Sequence, residues 1–280
     1  NQLFRNEGNF VFTRVLTTDV SKVNAKSFSS AWADIDNDGD LDLFVTNAFQ
    51  NGQRLKNNLY LNDGTGHLTE VTNEVVVMDE GWSYGCAFGD YDNDGFQDLA
   101  VATTRFGNVD EADYLYHNNG NSNHWLMVSL EGNVSNKSAI GAKIRVKAIV
   151  NGTAVWQMRE ISAQSAYCSQ NDMRAHFGLA DATLVDSMVI EWPSGIRQYR
   201  TGVLPNQILD IEEDLVNAVK EVLPTFGFKV FPNPTNSVVQ LEAQFSESMK
   251  VLMVEVFGDT GQVIYKTTFS NVSGHWQHQI

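Results

Sequence analysis

Nine aspartates fall in two short stretches, Asp34–Asp42 (DIDNDGDLD) and Asp90–Asp98 (DYDNDGFQD). Both follow D-x-D-x-D-G-x-x-D, and Asp92 follows Asp36 by 56 residues. Carboxylates this close repel: at ~5 Å and an effective dielectric of ~20, each unpaired pair costs about 3 kcal/mol. A hard cation with oxygen ligands removes that cost, and alternating aspartates followed by a turn-forming glycine suit calcium. In the first loop the expected ligands are the side chains of Asp34, Asp36, Asp38 and Asp42, with the main-chain carbonyl of Asp40. In the second they are Asp90, Asp92, Asp94 and Asp98, with the carbonyl of Phe96. Gly39 and Gly95 give the backbone its freedom to curl around the ion. We therefore expect two calcium ions in near-equivalent sites. The competing reading is a pair of solvated Asp/Asn/Gly turns, and the recurrence of one spacing at one period weighs against it. An EF-hand is excluded, because its twelfth loop position needs a bidentate Glu and here holds Val45 or Val101.

The elements that carry these loops also repeat. Ala31-Trp32-Ala33-Asp34 aligns with Ala87-Phe88-Gly89-Asp90, and Asn58-Leu59-Tyr60-Leu61-Asn62 with Tyr114-Leu115-Tyr116-His117-Asn118. The same element occurs earlier as Gln2-Leu3-Phe4-Arg5-Asn6. One repeat predicts four short strands, about 29–33, 41–47, 58–62 and 67–71, each bounded by Asp, Asn or Gly. Four antiparallel strands per repeat make a β-propeller blade, with the acidic loop joining the first two strands.

These residues resemble the FG-GAP/VCBS repeats of integrin α-chain propellers, and the resemblance covers 1–123. It implies a partial propeller, since a ring needs about four to eight blades and only two repeats and the tail of a third are present. We expect a longer protein on the N-terminal side.

The period stops at His124. Residues 124–214 predict about seven strands, among them 124–130, 142–150, 153–161, 187–192 and 207–211, with Asn151-Gly152 as a hairpin turn. A small β-sandwich or barrel follows. Four ordered motifs, Ser138-Ala139-Ile140-Gly141-Ala142-Lys143-Ile144, Ser169-Gln170-Asn171-Asp172, His176-Phe177-Gly178-Leu179 and Glu191-Trp192-Pro193-Ser194-Gly195, resemble the ASPIC/UnbV domain. That resemblance brings no defined activity. Ser165, Cys168, Ser169, Asp172 and His176 are the residues to weigh for catalysis, but no nucleophile motif surrounds them. We read 169–172 as a hydrogen-bonded turn and His176 as the opening of a strand. Arg145, Arg159 and Arg174 could bind an acidic group, but scattered arginines usually face solvent, and that is the expectation here.

A linker at 215–226 precedes Phe228-Lys229-Val230-Phe231-Pro232-Asn233-Pro234-Thr235 and three strands, 238–243, 251–257 and 262–268, with a turn at 258–261. Residues 227–280 resemble the sorting domain of the Bacteroidetes type IX secretion system, an immunoglobulin-like β-sandwich. The final strand usual in that family is not seen before Ile280, so we expect this end to be cut as well. His275 and His278 are too few for a zinc site.

Composition narrows the function. A net charge of −15 and a pI near 4.7 argue against nucleic acid or an anionic membrane as partner. No apolar run is long enough to span a bilayer as a helix. Cys86 and Cys168 are far apart, fit no zinc spacing, and leave a disulfide between them open. The sequence thus leads us to expect an all-β protein, secreted or attached to the cell surface of a Bacteroidetes-like bacterium. It would be no enzyme, act in adhesion or ligand binding with structural calcium, and meet an extracellular protein or glycan and the type IX machinery. The alternative is an extracellular polysaccharide-active enzyme, or its accessory subunit, whose catalytic part lies elsewhere.

Overall fold

A computed structural model describes residues 1–23, 25–104, 110–215, 226–231, 238–257 and 263–280, and of residues 49, 226–228, 246, 247, 257 and 263 only the backbone. Two compact units emerge, residues 1–215 and 216–280. Both are built from strands; the described residues add one short helix, α1 (Val75–Met78), and one 3-10 turn (Asp19–Lys22).

The first unit begins with a hairpin of β1 (Leu3–Asn6) and β2 (Phe12–Val15). One four-stranded blade follows: β3 (Ser27–Ala33), β4 (Asp42–Asn47), β7 (Asn58–Asn62) and β8 (Leu68–Val71), in that spatial order. Between β4 and β7 a small excursion forms β5 (Phe49–Gln50) and β6 (Gln53–Lys56), and β6 pairs with β9 (Glu80–Gly81). The second blade has three strands: β10 (Ser83–Gly89), β11 (Asp98–Thr103) and β12 (Tyr114–Tyr116). Its register repeats that of the first, Leu99 facing Tyr116 as Leu43 faces Tyr60. The blades pack through Ala31, Phe44 and Leu59 against Cys86, Phe88 and Val101.

The second repeat was expected to hold four strands, and among the described residues it holds three. Its fourth would begin at His124, 56 residues after Leu68, but His124–Glu131 is β13, the central strand of another sheet. Asparagines make the diversion. Asn118 Nδ2 donates to the Ile35 carbonyl (2.7 Å), and Asn121 and Asn123 both donate to the Asp36 carbonyl (2.5 and 2.8 Å). The chain is thereby tied to the first acidic loop instead of turning back along β12.

The rest of this unit is a sandwich of seven strands. One sheet orders β16 (Ala175–Ala180), β13 and β19 (Gln207–Glu212); the other orders β15 (Thr153–Glu160), β14 (Lys143–Val150), β17 (Val185–Glu191) and β18 (Arg197–Val203). Alternate residues Ile144, Val146, Ala148 and Val150 of β14 are buried against Leu126, Val128, Phe177 and Leu179 of the facing sheet. This is the period-two pattern of a half-buried strand. Asn151 and Gly152 both have positive φ (48° and 76°), which fits the tight turn of the β14–β15 hairpin.

In the C-terminal unit β20 (Phe226–Phe231), β21 (Gln240–Phe257) and β22 (Val263–Gln279) form one antiparallel sheet around Ala243, Phe245 and Val272. The strands expected at 238–243 and 251–257 are a single strand, with a register shift between Phe245 and Met249. No Gly or Pro interrupts 240–257, so a bulge absorbs the irregularity instead of a turn. The described residues of this unit show one sheet. The linker at 216–225, the Pro232-Asn233-Pro234 entry and the turn at 258–261 lie outside the described residues. Among the described residues no helix is long and apolar enough to cross a membrane.

Candidate metal centres at the blade–sandwich junction

Each acidic loop leaves its blade's first strand at a buried aspartate and enters the second strand at another. Asp34 and Asp42 are buried in one, Asp90 and Asp98 in the other. Asn37 and Asn93 take left-handed φ values of 59° and 63°, followed by Gly39 at 104° and Gly95 at 93°. Asn and Gly tolerate that region best. The bends turn backbone N–H groups inward: Gly39 donates to Asp34 Oδ2 (3.0 Å) and Gly95 to Asp90 Oδ2 (2.8 Å). The exit aspartates are fixed in the same way. Asp42 accepts from the N–H groups of Ile35 (3.0 Å) and Asn62 (2.9 Å), and Asp98 from those of Tyr91 (3.1 Å) and Asn118 (2.8 Å).

The carboxyl groups converge. Oxygens of Asp34, Asp36 and Asp42 all lie within 4.8 Å of one another, as do those of Asp90, Asp92 and Asp98. A further grouping joins Asp92 and Asp94 to His117. Asp38 stands outside the first trio, its Oδ1 accepting from the Asp40 N–H at 2.9 Å. Asp94 Oδ1 accepts from the Phe96 N–H at the same distance. Asp40 lies beside Gly64, and the Phe96 ring is buried against Gly120, so Phe96 can offer an ion only its carbonyl. Val45 and Val101 are buried in strands β4 and β11, where neither can be a ligand.

Without a counter-ion Asp34, Asp36, Asp42 and Asp90 hold their protons more tightly than usual. Burial raises Asp34 well above the ordinary carboxylate range and Asp42 to about 7; burial and the neighbouring Asp38 raise Asp36. Burial also raises Asp90. An oxygen-only donor set fits calcium. So does a buried atom of the first loop, Asp34 Oδ1, which has no hydrogen-bond partner, since such an atom is costly unless something pairs with it.

The sandwich grips both loops. Gly178 N–H of β16 donates to Asp34 Oδ2 (3.0 Å) and Ala180 N–H to the Asn37 carbonyl (2.8 Å). Arg159 Nη2 stands 4.0 Å from Asp34 Oδ2, its side chain 16% exposed. On the second loop Arg174 donates to the Asp90 carbonyl and to Asn93 Oδ1, both at 2.6 Å, and is fixed by Asp172. His176 Nε2 lies 3.1 Å from the Gly95 carbonyl. Two glycines permit the approach: a Cβ on Gly178 would collide with Asp34, and one on Gly95 with the Trp125 ring.

Arg159 and Arg174, expected in solvent, are therefore part of the junction, while Arg145 pairs with Glu191. Their sequence neighbourhood gives no sign of this, because the partners are more than 80 residues away. His117, opposite Leu61 in the repeat alignment, is a residue of this site that the spacing of the aspartates did not single out. Its Nδ1 lies 3.2 Å from Asp98 Oδ1 and 3.6 Å from Asp92 Oδ2.

The residues weighed for catalysis are held in structural contacts. Ser169 Oγ donates to the Cys86 carbonyl (2.6 Å), Ser165 Oγ accepts from Asn171 N–H (2.7 Å), and Asp172 N–H donates to the Phe88 carbonyl (2.8 Å). His176 lies in β16 and burial pushes its imidazole down to about 4. Cys86 is buried and Cys168 exposed, both as free thiols. His275 lies 3.5 Å from Glu242, and His278 2.7 Å from the Tyr265 hydroxyl.

Comparison with known proteins finds family matches in three stretches of the chain. Residues 1–45 and 48–101 match the FG-GAP-like repeat, 132–218 the ASPIC and UnbV family, and 229–280 the secretion system C-terminal sorting domain. Cartilage acidic protein 1 of Xenopus tropicalis is 27% identical over 212 residues, 72% of this chain and 32% of that protein. Integrin alpha-4 of Xenopus laevis is 34% identical over 94 residues, 30% of this chain and 9% of that protein. The chain spans at most 32% of the length of these two relatives. With the sorting domain, this is a secreted or cell-surface protein.

Proposed function

We propose that residues 1–215 form a calcium-stabilised recognition module acting in adhesion or ligand binding, with one calcium ion in each acidic loop and a structural role for both. The observation that carries this reading is the convergence of three carboxyl groups in each loop beneath a second domain that grips the same loop. A bound calcium supplies positive charge to oxygens that otherwise repel. Asp34, Asp36 and Asp42 hold it in the first loop, and Asp90, Asp92 and Asp98 in the second, with Asp38, Asp94 and the Asp40 and Phe96 carbonyls as further oxygens. The N–H groups of Ile35, Asn62, Tyr91 and Asn118 orient the exit aspartates before the ion arrives. With the carboxyls neutralised, the sandwich can rest on the loops without facing a dense negative charge.

Isothermal titration of the intact chain with calcium should give two equivalents. Asp36→Ala and Asp92→Ala should each remove one, and the double variant both. Two equivalents surviving in the double variant would sink the assignment.

The chain by itself is proposed to catalyse nothing. Ser169 Oγ and the Asp172 N–H are held by main-chain carbonyls across the junction, Ser165 Oγ accepts from the Asn171 N–H of its own loop, and His176 is buried against the Gly95 carbonyl. Glycosidase, esterase, phosphatase and peptidase substrates assayed with calcium should give background rates. Turnover lost on replacing Ser169 or His176 in a folded variant would make the sandwich an enzyme.

A further inference from the structure

The chain leaves the first unit for the C-terminal one through β19, an edge strand. It pairs with β13 and, among the described residues, with no other strand. The two run parallel, in register from Leu126 opposite Gln207 to Glu131 opposite Glu212. β13 starts beside the blades: Asn121 and Asn123 just before it are bound to the first acidic loop, and the Trp125 ring lies against Gly95. Its other neighbour, β16, is fastened to the first loop through Gly178 and Ala180. β19 starts at the same end, where Asn206 N–H donates to the Trp125 carbonyl (2.6 Å). The blades and the C-terminal unit are thus attached to opposite ends of one parallel pair.

The far end of the pair carries Glu213, which is 1% exposed. Its N–H donates to the Glu131 carbonyl (2.8 Å), and its own carbonyl accepts from Asn133 Nδ2 (2.8 Å). Its carboxylate accepts from the N–H groups of Asn133 (2.9 Å), Val134 (2.7 Å) and Ser135 (2.6 Å) and from the hydroxyls of Ser135 and Ser194. Hydrogen bonds to an ionised acceptor are roughly twice as strong as neutral ones. The last residue of the unit, Leu215, follows two positions on. Burying a charge is a costly way to gain equilibrium stability. What these directional bonds add is resistance to the strand being peeled away from its end.

We propose that the β13–β19 pair, locked by Glu213, is a force-bearing clamp between the recognition module and the C-terminal unit. Tension between the blades and that unit slides β19 along β13. The pairings from Leu126 to Glu131 are then loaded together and must break together. Pulled apart from one end, the same pairings open one after another. Glu213 closes the end at which such peeling would begin. A protein that holds an extracellular ligand while attached to a cell bears this tension, so the inference rests on the adhesion reading above. Rupture is measured without ligand, and a weak clamp would leave that reading and the calcium titration standing.

Single-molecule pulling on the full chain in calcium tests it. Handles are attached through introduced cysteines in a Cys168→Ser background, Cys86 being buried. Ser122→Cys with Leu215→Cys loads β13 and β19 from opposite ends; Lys137→Cys with Leu215→Cys loads them from the same end. Forced unfolding is governed by the barrier along the pulled direction, and the first arrangement should rupture at ~2-fold or more the force of the second. Glu213→Gln keeps the side chain's shape and removes its charge, and should lower the first force ~1.5-fold or more. Ile190→Val trims the core of the facing sheet, lowers stability in urea, and should leave that force nearly unchanged. An unaltered calcium titration checks that each variant folds. Equal forces in the two arrangements, or equal losses in Glu213→Gln and Ile190→Val, would overturn the proposal. Should Glu213→Gln fail to fold, the two arrangements decide alone.

Discussion

The two acidic loops are nearly the same in sequence and unlike in surroundings. In the first, Asp34 is sealed: its Oδ2 takes N–H groups from its own loop and from β16, with Arg159 close by. In the second, the sandwich holds main-chain carbonyls, of Asp90 through Arg174 and of Gly95 through His176. There the carboxyls keep a more open side, with the Asp92 side chain 38% exposed beside His117. Repetition of a motif thus fixes its local geometry but not its energetics. The first loop is a joint between domains as well as a candidate metal site, whereas the second is a candidate metal site with the sandwich resting on its backbone. The near-equivalence expected from the sequence extends to the loop conformation and stops there.

The largest difference should come from removing the first aspartate of each loop. Asp34→Ala leaves the buried Gly178 and Gly39 N–H groups without their acceptor and removes the oxygen nearest the Arg159 guanidinium, a loss of about 3 kcal/mol. Asp90→Ala removes acceptors for N–H groups of its own loop and should cost about 1–2 kcal/mol. Urea unfolding of both variants in EDTA reads this directly, and equal losses would erase the distinction between joint and simple site.

Calcium removal should act next most strongly, and on both halves of the first unit. For a dissociation constant of ~10 μM, millimolar calcium adds about 2.7 kcal/mol per site by mass action. Because β16 grips the first loop, EDTA should speed amide exchange in Ala175–Ala180 along with the blades. Exchange confined to 1–123 would show that the junction transmits nothing.

The smallest effect concerns protons. Burial holds Asp42 at about 7 in the metal-free protein, above the ~3.9 of an unfolded aspartate. The folded metal-free chain therefore binds more protons than the unfolded one. Its stability from this group is fully present below ~pH 3.9 and is lost as pH rises through about 7. Calcium reverses the sign by displacing the proton. Affinity at the first loop should fall ~10-fold or more between pH 8 and pH 6, with proton release measurable as a buffer-dependent heat. A first-loop affinity independent of pH would mean that its carboxyls are already ionised.

Much of this was legible in the chain. Spacing alone gave the two loops, because D-x-D-x-D-G-x-x-D closes on itself through bonds spanning two to seven residues. The hairpin at Asn151-Gly152, the seven sandwich strands and the order of the three segments were equally local. Other features were not. The merging of two expected strands into β21 had no turn residue to mark it either way. The missing fourth strand of the second blade could not be read from strand propensity, since 124–131 is a good strand in either sheet.

What the sequence by itself determined is the loop that brings Asp34, Asp36 and Asp42 together, and likewise Asp90, Asp92 and Asp98, since residues a few positions apart are joined by local backbone geometry. What only the tertiary structure decided is who else stands there. Gly178 reaches Asp34 across 144 residues, and Arg174 reaches Asp90 across 84. The hydrogen bonds of Asn118, Asn121 and Asn123 to the carbonyls of Ile35 and Asp36 lie beside both contacts, where the chain passes from the second blade over the first loop into the sandwich. Such contacts depend on where whole sheets come to rest, which no short window of residues contains.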